Sequence, residues 1–543
     1  MAEQRFQLYD TTLRDGTQQE GLVLTVEDKL AVARHLDAFG VGFSEGGWPG
    51  AVPKDTEFFR RARSELHLAN AQLAAFGATR RPGALVAVDP QVRALLEAET
   101  PVVTLVAKSH TRHVELALRT TLAENLAMIG STVRHLVHAG RRVFVDAEHY
   151  FDGFRANREY ALEVVRTAAE AGAETVVLCD TNGGSLPDEV GAVVADTLGA
   201  TGARLGIHCH DDSGCAVANT LAAVDAGASH AQATAHGYGE RCGNANLFTV
   251  AANLLLKRGL EVVPARRLRE VAATGRAVSE LTGAYAVPAA PYIGASAFAH
   301  KAGLHASALR VDPDLYQHID PARVGNAMRT LVSDMGGRSS IELQARELGY
   351  QVSAGSEPVA RAAAKVKELE SRGYSFESAD ASFALLLLEE LAGGRLSRPF
   401  DVESWRVGVE RGPGGAVRTE GSVRLRVDGA PVGATGVGNG PVNALDRALH
   451  QALDPYFPEL AALELVDYQV RVLSGSAGSA AAARVLITFS DGHRRWGTVG
   501  VDENTVAASW LALLDAVFYV LLTERGADHR SVAVPVPAAA AAG

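Results

Sequence analysis

The segment ARLGIHCHDDSGCAVANTLAAVDAGASHAQATAHGYGERCGNAN, residues 203–246, opens as a short apolar strand that ends in His208-Cys209-His210. Side chains alternate across a strand, so the two imidazoles share one face and Cys209 takes the other. A strand end is a rigid place from which to aim two neutral nitrogens at a metal ion. An isolated His-x-His pair carries little weight, and its surroundings must give it meaning. Beyond it a helical pattern over 217–226 stops at Gly227. A second strand-like run, 230–235, then leads into His236, Glu240, Arg241 and Asn244.

Outward from this segment the same strand-then-helix alternation extends back to the N-terminus. Strands are expected at 6–9, 41–45, 68–73, 102–107, 142–147, 175–179, 204–208 and 230–235. The helices between them are punctuated: Thr25 opens one with Glu27 and Asp28 in its first turn, and Gly40 closes it. Residues 161–171 before Gly172 repeat the scheme. Eight βα units in about 250 residues predict an α/β fold, the (β/α)8 TIM barrel, whose chemistry sits at the C-terminal strand ends. Those ends carry Asp10, Arg14 and Asp15 after strand one, Glu45 after two and Lys108 after four. Strand five supplies Asp146, Glu148 and His149, six supplies Asp180, Thr181 and Asn182, seven the histidine pair, and eight Glu240, Arg241 and Asn244. Carboxylate, imidazole and amide groups thus converge on one rim.

A chain of 543 residues exceeds one ordinary core. A net charge of -11 without a basic block argues against nucleic acid or an anionic membrane surface and for small-molecule partners. The N-terminus enters a strand within a few residues, with no apolar signal region. No apolar run reaches the ~18 residues of a membrane span. Residues 510–522, interrupted by Asp515, read as a packed amphipathic helix. Four cysteines in so long a chain indicate a reducing, cytoplasmic setting.

The barrel is expected over 1–275 and a helical, Arg- and Ala-rich linker over 276–400. The linker includes a loop-like stretch at 291–309 that is long enough to reach over a barrel mouth, its own or a partner's. Residues 401–530 form a separate α+β module with an internal repeat: 432–453 and 494–521 each pass from a Gly-containing turn into a helix after two strands, a ββα unit. Residues 531–543 read as a disordered tail.

Asp10-Thr-Thr-Leu-Arg14-Asp15-Gly16-Thr-Gln18, His208-x-His210-Asp-Asp-x-Gly214 and Gly239-Glu-Arg-x-Gly-Asn244 resemble the three signatures of the DRE-TIM metallolyases, which include isopropylmalate, homocitrate and citramalate synthases. The resemblance covers nearly the whole chain, and the repeat module is similar to the regulatory domain of these synthases. Glu45-Gly-Gly-Trp48-Pro-Gly, Ala147-Glu148-His-Tyr-Phe-Asp152-Gly153 and His300-Lys-Ala-Gly-Leu-His305 are most similar to the citramalate-forming branch, which condenses pyruvate with acetyl-CoA.

The resemblance implies a divalent ion (Mn, Mg, Zn or Co) ligated by Asp15, His208, His210 and Asn244. Read singly, these residues would be a helix cap, two core histidines and a turn amide. It further implies Arg14, Glu148, Glu240, His305 and Tyr316 as catalytic, with His305 supplied by the second subunit of a homodimer. Arg14, Gln18, Glu45, Tyr150 and Thr181 are expected to bind substrate. The repeat module is expected to bind a feedback amino acid, isoleucine, in a pathway to isoleucine. A zinc-thiolate site is disfavoured because Cys209 faces away from its flanking histidines and no C-x-x-C is present.

Two departures bear on the acceptor. Ala51-Val52 stands where the family has Ser-Asn, and Ala107-Lys108-Ser109-His110 where it has Gly-Lys-Ser-Trp. They keep open the same condensation on another 2-oxo acid. A retro-aldol lyase is disfavoured by the repeat module, and a catalytically dead sensor by the intact ligand set.

Overall fold

The computed structural model describes residues 6–525 apart from 285, 334, 351, 354 and 474–479, so the tail expected at 531–543 lies outside the described residues. The chain divides into two compact units, Met1–Phe298 with Ile319–Ala327, and Ala299–His318 with Met328–Gly543.

The first unit is the expected barrel. Eight parallel strands close on themselves: β1 (Gln7–Asp10), β2 (Phe43–Glu45), β3 (Gln72–Ala78), β4 (Val102–Lys108), β5 (Arg142–Glu148), β6 (Thr175–Asp180), β7 (Leu205–Cys209) and β8 (His230–Ala233). Closure is made by β8 on β1, with Gln7 opposite His230 and Asp10 opposite Ala233. The lower interior is plugged by Tyr9, Phe43, Ala74, Val102 and Phe144. His230 fills the centre of this plug, its ring 5.2 Å from that of Tyr9 and 5.1 Å from that of Phe144. Burial holds its imidazole down at about 3, so it packs as a neutral ring. With the lower barrel closed, polar chemistry is left to the C-terminal mouth.

One strand lies later than expected. Residues 68–71 do not begin β3, because the Asp37 carboxylate accepts the backbone N–H groups of Ala69, Asn70 and Ala71 at 3.0, 2.7 and 2.7 Å. That cluster bends the chain into a turn, and pairing with β2 starts at Gln72.

In the second unit a short parallel pair, β9 (Ala299–His300) and β10 (Arg329–Thr330), accompanies the helices Gly303–Val311, Arg338–Glu347, Glu357–Ser371 and Asp380–Leu391. His305 therefore sits on a helix, where the sequence read as a loop. The helical stretch shares a core with the C-terminal module, through Phe383 and Leu387 with Val499.

The repeat carries one more strand per unit than expected. β11 (Phe400–Arg411), β12 (Val417–Val427) and β13 (Ala430–Gly438) precede the helix Pro441–Leu453. β14 (Glu464–Val472), β15 (Ala483–Ser490) and β16 (Arg495–Asp502) precede the helix Thr505–Arg525. The glycines that read as turn signals lie inside β13 and β16, where helix backbone presses on the sheet. A Cβ on Gly436 would meet Ala444 O at 2.6 Å, and one on Gly500 would meet Ala508 O at 2.0 Å.

Helix Thr505–Arg525 is not amphipathic. It is the single described helix long and apolar enough to cross a membrane, and more than half of it is buried in this fold. Leu513, Val517 and Leu521 join Leu445, Leu449 and Leu453 in one core. A helix packed on several sides reads as apolar all round.

Candidate active site

The turn after β1 presents the first donor. Backbone N–H groups of Arg14 and Gly16 both bond Thr11 O, at 3.2 and 3.1 Å, and this tight loop delivers Arg14 and Asp15 to the barrel mouth. Beneath it Asp10, fully buried, accepts from Thr12 N–H at 3.0 Å and from the Ser44 hydroxyl at 3.1 Å. Burial raises its carboxyl to about 6. The Thr12 hydroxyl oxygen accepts the Ala235 N–H at 2.8 Å and so ties the exits of β1 and β8 together.

The histidines at the end of β7 face this carboxylate. His208 Nε2 is 3.3 Å and His210 Nε2 3.8 Å from Asp15 Oδ2. The three ligand atoms lie within 4.8 Å of one another, and all three residues are buried. Burial alone would raise the Asp15 carboxyl. The Arg14 guanidinium, with the two imidazoles alongside, outweighs it and holds the group well below the usual carboxylate range.

The loop after β8 brings in the amide. A Cβ on Gly239 (φ +157°) would strike Asn244 Nδ2 at 2.2 Å, and one on Gly243 (φ +91°) would strike Gly237 O at 2.1 Å. Glycine is thus required at both positions for the loop to close. Asn244 Nδ2 donates to Tyr238 O at 3.0 Å, which leaves Asn244 Oδ1, like His210 Nδ1, buried and without a hydrogen-bond partner among the described residues. A carboxylate, two imidazole nitrogens and an orphaned amide oxygen suit a divalent ion. Thiolate plays no part: Cys209 is buried in the barrel core, and burial pushes up the Cys179 thiol on the cavity wall.

Arg14 is locked from behind. Its Nε donates to Glu45 Oε2 at 2.6 Å, and its guanidinium carbon lies 3.9 Å from the centre of the Phe76 ring. The other Glu45 oxygen accepts from the Tyr9 hydroxyl at 2.8 Å, which also bonds Thr104 Oγ1 at 2.6 Å. Glu45, expected to meet substrate, is fully buried with both oxygens engaged, holds Arg14 and does not line the cavity in this structure. Trp48 packs edge-on against Phe76. Its backbone N–H is held by Asp55, which forms a buried ion pair with Lys29.

A cavity of about 580 Å³ gathers Arg14, Asp15, Gln18, Thr181, Glu148 and Glu240 around the histidines. Glu148 pairs with Lys108, and Glu240 lies 3.6 Å from Arg241. The Thr181 hydroxyl oxygen accepts the His149 N–H at 2.8 Å.

Tyr150, expected to bind substrate, does not line this cavity. It is fully buried, its hydroxyl bonds Thr197 Oγ1 at 2.8 Å, and its ring packs on Phe151 and Phe154, so it stabilises the outer helical layer. Val52 and His110, at the two departures, occupy the N-cap positions of helices Pro53–Glu65 and Thr111–Leu116 and do not line the cavity. His305 and Tyr316 belong to the second unit, where their rings stack with centroids 4.2 Å apart.

Phe76 and Gln232 are not singled out by the sequence pattern. Phe76 lies in a strand displaced from its expected place. Gln232 is a lone amide in the small-residue strand HAQA, a polar interruption that could have marked an inward-facing role.

Comparison with known proteins agrees with this architecture. The HMGL-like family model matches residues 5–278, the homocitrate synthase post-HMGL domain-like model 292–374, and the LeuA allosteric (dimerisation) domain 377–521. The chain is 62% identical over 517 residues to an (R)-citramalate synthase of Streptomyces coelicolor, covering 95% of this chain and 97% of that protein. It is 46% identical to an (R)-citramalate synthase of Aquifex aeolicus, with 96% and 99% covered. It is also 31% identical to a probable 2-isopropylmalate synthase of Methanopyrus kandleri, with 94% and 98% covered.

Proposed function

The chain belongs to the (R)-citramalate synthase family, within the HMGL-like barrels, and from that membership we propose that it condenses acetyl-CoA with pyruvate to give (R)-citramalate and CoA. The observation that carries the chemistry is the buried Asp15, His208 and His210 triangle beside a guanidinium locked in place by Glu45.

Asp15, His208, His210 and Asn244 would hold a divalent ion, which when bound supplies Lewis acidity to the keto group of a chelated 2-oxo acid. Arg14 supplies fixed positive charge where oxyanion character develops as the acetyl carbon attacks that ketone. Its rigid setting avoids reorganisation at the moment of reaction. Thr181, its hydroxyl oxygen engaged by the His149 N–H, would donate its own O–H to the acceptor's carboxylate, and Gln18 lines the same wall.

The acetyl methyl must lose a proton, one carbon–carbon bond forms, and the alkoxide takes up a proton. Water then cleaves the thioester and CoA leaves as the thiol. Glu148 and Glu240 on the cavity wall are the candidates to move these protons, with the His305 and Tyr316 pair contributed by the second subunit of a homodimer. The C-terminal repeat module is assigned the dimer contact and a feedback amino acid, isoleucine, consistent with an early step towards that amino acid.

Thiol release from acetyl-CoA, measured across a panel of 2-oxo acids with Mn2+ and with chelator, tests the proposal. Preference for pyruvate, a product of citramalate mass and loss of release with chelator are expected. Release confined to a longer or branched acceptor would overturn the assignment of pyruvate.

A further inference from the structure

Directly behind the donor triangle lies a polar chain that the steps above do not use. Gln232, buried on the inner side of β8, donates from Nε2 to Asp146 Oδ1 on β5 at 2.8 Å. Its Oε1 lies 2.9 Å from His208 Nδ1. The two ends of a primary amide differ: one donates and the other accepts. Asp146 Oδ1 accepts from Nε2, and this orientation of the amide leaves Oε1 facing His208.

An acceptor at Nδ1 requires the proton to reside there, and this leaves the lone pair on Nε2, 3.3 Å from Asp15 Oδ2. The competing tautomer carries its proton on Nε2 and donates it to Asp15. That arrangement satisfies both groups and uses the same atoms a dication needs. His210 has no equivalent restraint, because its Nδ1 is buried without a hydrogen-bond partner among the described residues.

We infer that Gln232 is a positioning residue: clamped across the barrel between Asp146 and His208, it holds His208 in the tautomer and orientation whose Nε2 accepts a divalent ion. The inference rests on Asp15, His208, His210 and Asn244 being the metal ligands. Gln232 acts only through His208. Asp146 sets the direction of the amide and is the far anchor of the clamp.

The test is Mn2+ binding to metal-depleted full-length protein, read from the electron paramagnetic resonance signal of free Mn2+, with apo melting recorded for every variant. Gln232→Leu keeps the volume and removes the acceptor, and should raise the Mn2+ Kd about 10- to 100-fold. Gln232→Glu should restore affinity to within a few-fold of wild type, since a neutral carboxyl can donate to Asp146 and accept from His208. A merely structural role would not distinguish the two.

Unchanged Kd in Gln232→Leu, or equal loss in both variants, overturns the clamp. Should Gln232→Leu fail to fold, Asp146→Asn carries the test: it frees the amide to turn either way and should weaken Mn2+, and an unaltered Kd overturns the inference. His208→Ala separates the two claims. If it loses Mn2+ while Gln232→Leu does not, only the clamp falls; if it keeps wild-type affinity, the ligand assignment falls.

Discussion

Helix Thr505–Arg525 holds a carboxylate in the middle of its packed length, and its replacement tests how the second unit tolerates charge. Asp515 Oδ2 accepts from the Ser382 hydroxyl at 2.5 Å, and that hydroxyl oxygen accepts the Val499 N–H at 3.0 Å. Burial pushes the Asp515 carboxyl up from 3.8 to about 6. A carboxyl with a raised folded-state pKa favours the fold while protonated. That benefit disappears as pH climbs from the unfolded value through the folded one, and above it the ionised group costs its full penalty. Two units of difference correspond to about 3 kcal/mol, and a solvent-facing edge of the side chain reduces this to roughly 1–3 kcal/mol.

Asp515→Asn keeps the acceptor for Ser382 and removes the charge. Near pH 8 it should raise the melting midpoint of the second unit by a few degrees, with the gain shrinking to nothing towards about pH 4. Tryptophan fluorescence is a suitable probe because Trp405, Trp496 and Trp510 belong to this unit and Trp48 to the barrel. Parallel melting curves for wild type and variant from pH 4 to 8, or a variant less stable at pH 8, would mean that ionised Asp515 carries no burial penalty.

Three further outcomes are expected. Arg14→Lys retains a positive charge but cannot bond Glu45 and face the acceptor with one planar fork; kcat for thiol release should fall about 100- to 1000-fold, and a change within tenfold would remove Arg14 from the oxyanion role. Asp15→Asn should abolish turnover and Mn2+ binding with little change in apo melting, and calorimetry showing wild-type Mn2+ affinity would contradict its role as a ligand. Lys29→Met leaves Asp55 buried and unpaired beside the Trp48 N–H, so urea unfolding should show the barrel destabilised by about 3–5 kcal/mol; a neutral effect would mean that Asp55 is solvated.

The barrel was legible because each of its elements announces itself locally. Short apolar runs, capped helices and polar strand exits survive in the linear order, and the rim residues Asp15, His208, His210 and Asn244 follow from that order once the strands are placed. What escaped depends on neighbours remote in sequence. The start of β3 is set by Asp37, more than thirty residues earlier. Glu45 looks like a substrate residue until Arg14 and Tyr9 are seen to occupy both its oxygens. Tyr150 shares a motif with Glu148, yet the helix that begins with it carries its hydroxyl to Thr197. The extra strand of each repeat was hidden by glycines whose purpose is close helix contact, a property of packing that local turn propensity does not encode.

One divalent ion at the barrel mouth would join Asp15, His208, His210 and Asn244 to the acceptor. An anomalous difference map from crystals grown with Mn2+ and pyruvate tests it most directly. One strong peak is expected about 2.0–2.3 Å from Asp15 Oδ2 and the Nε2 atoms of His208 and His210, within reach of Asn244 Oδ1 and with pyruvate beside it. A peak coordinated by other residues, with these four atoms left unengaged, would contradict it.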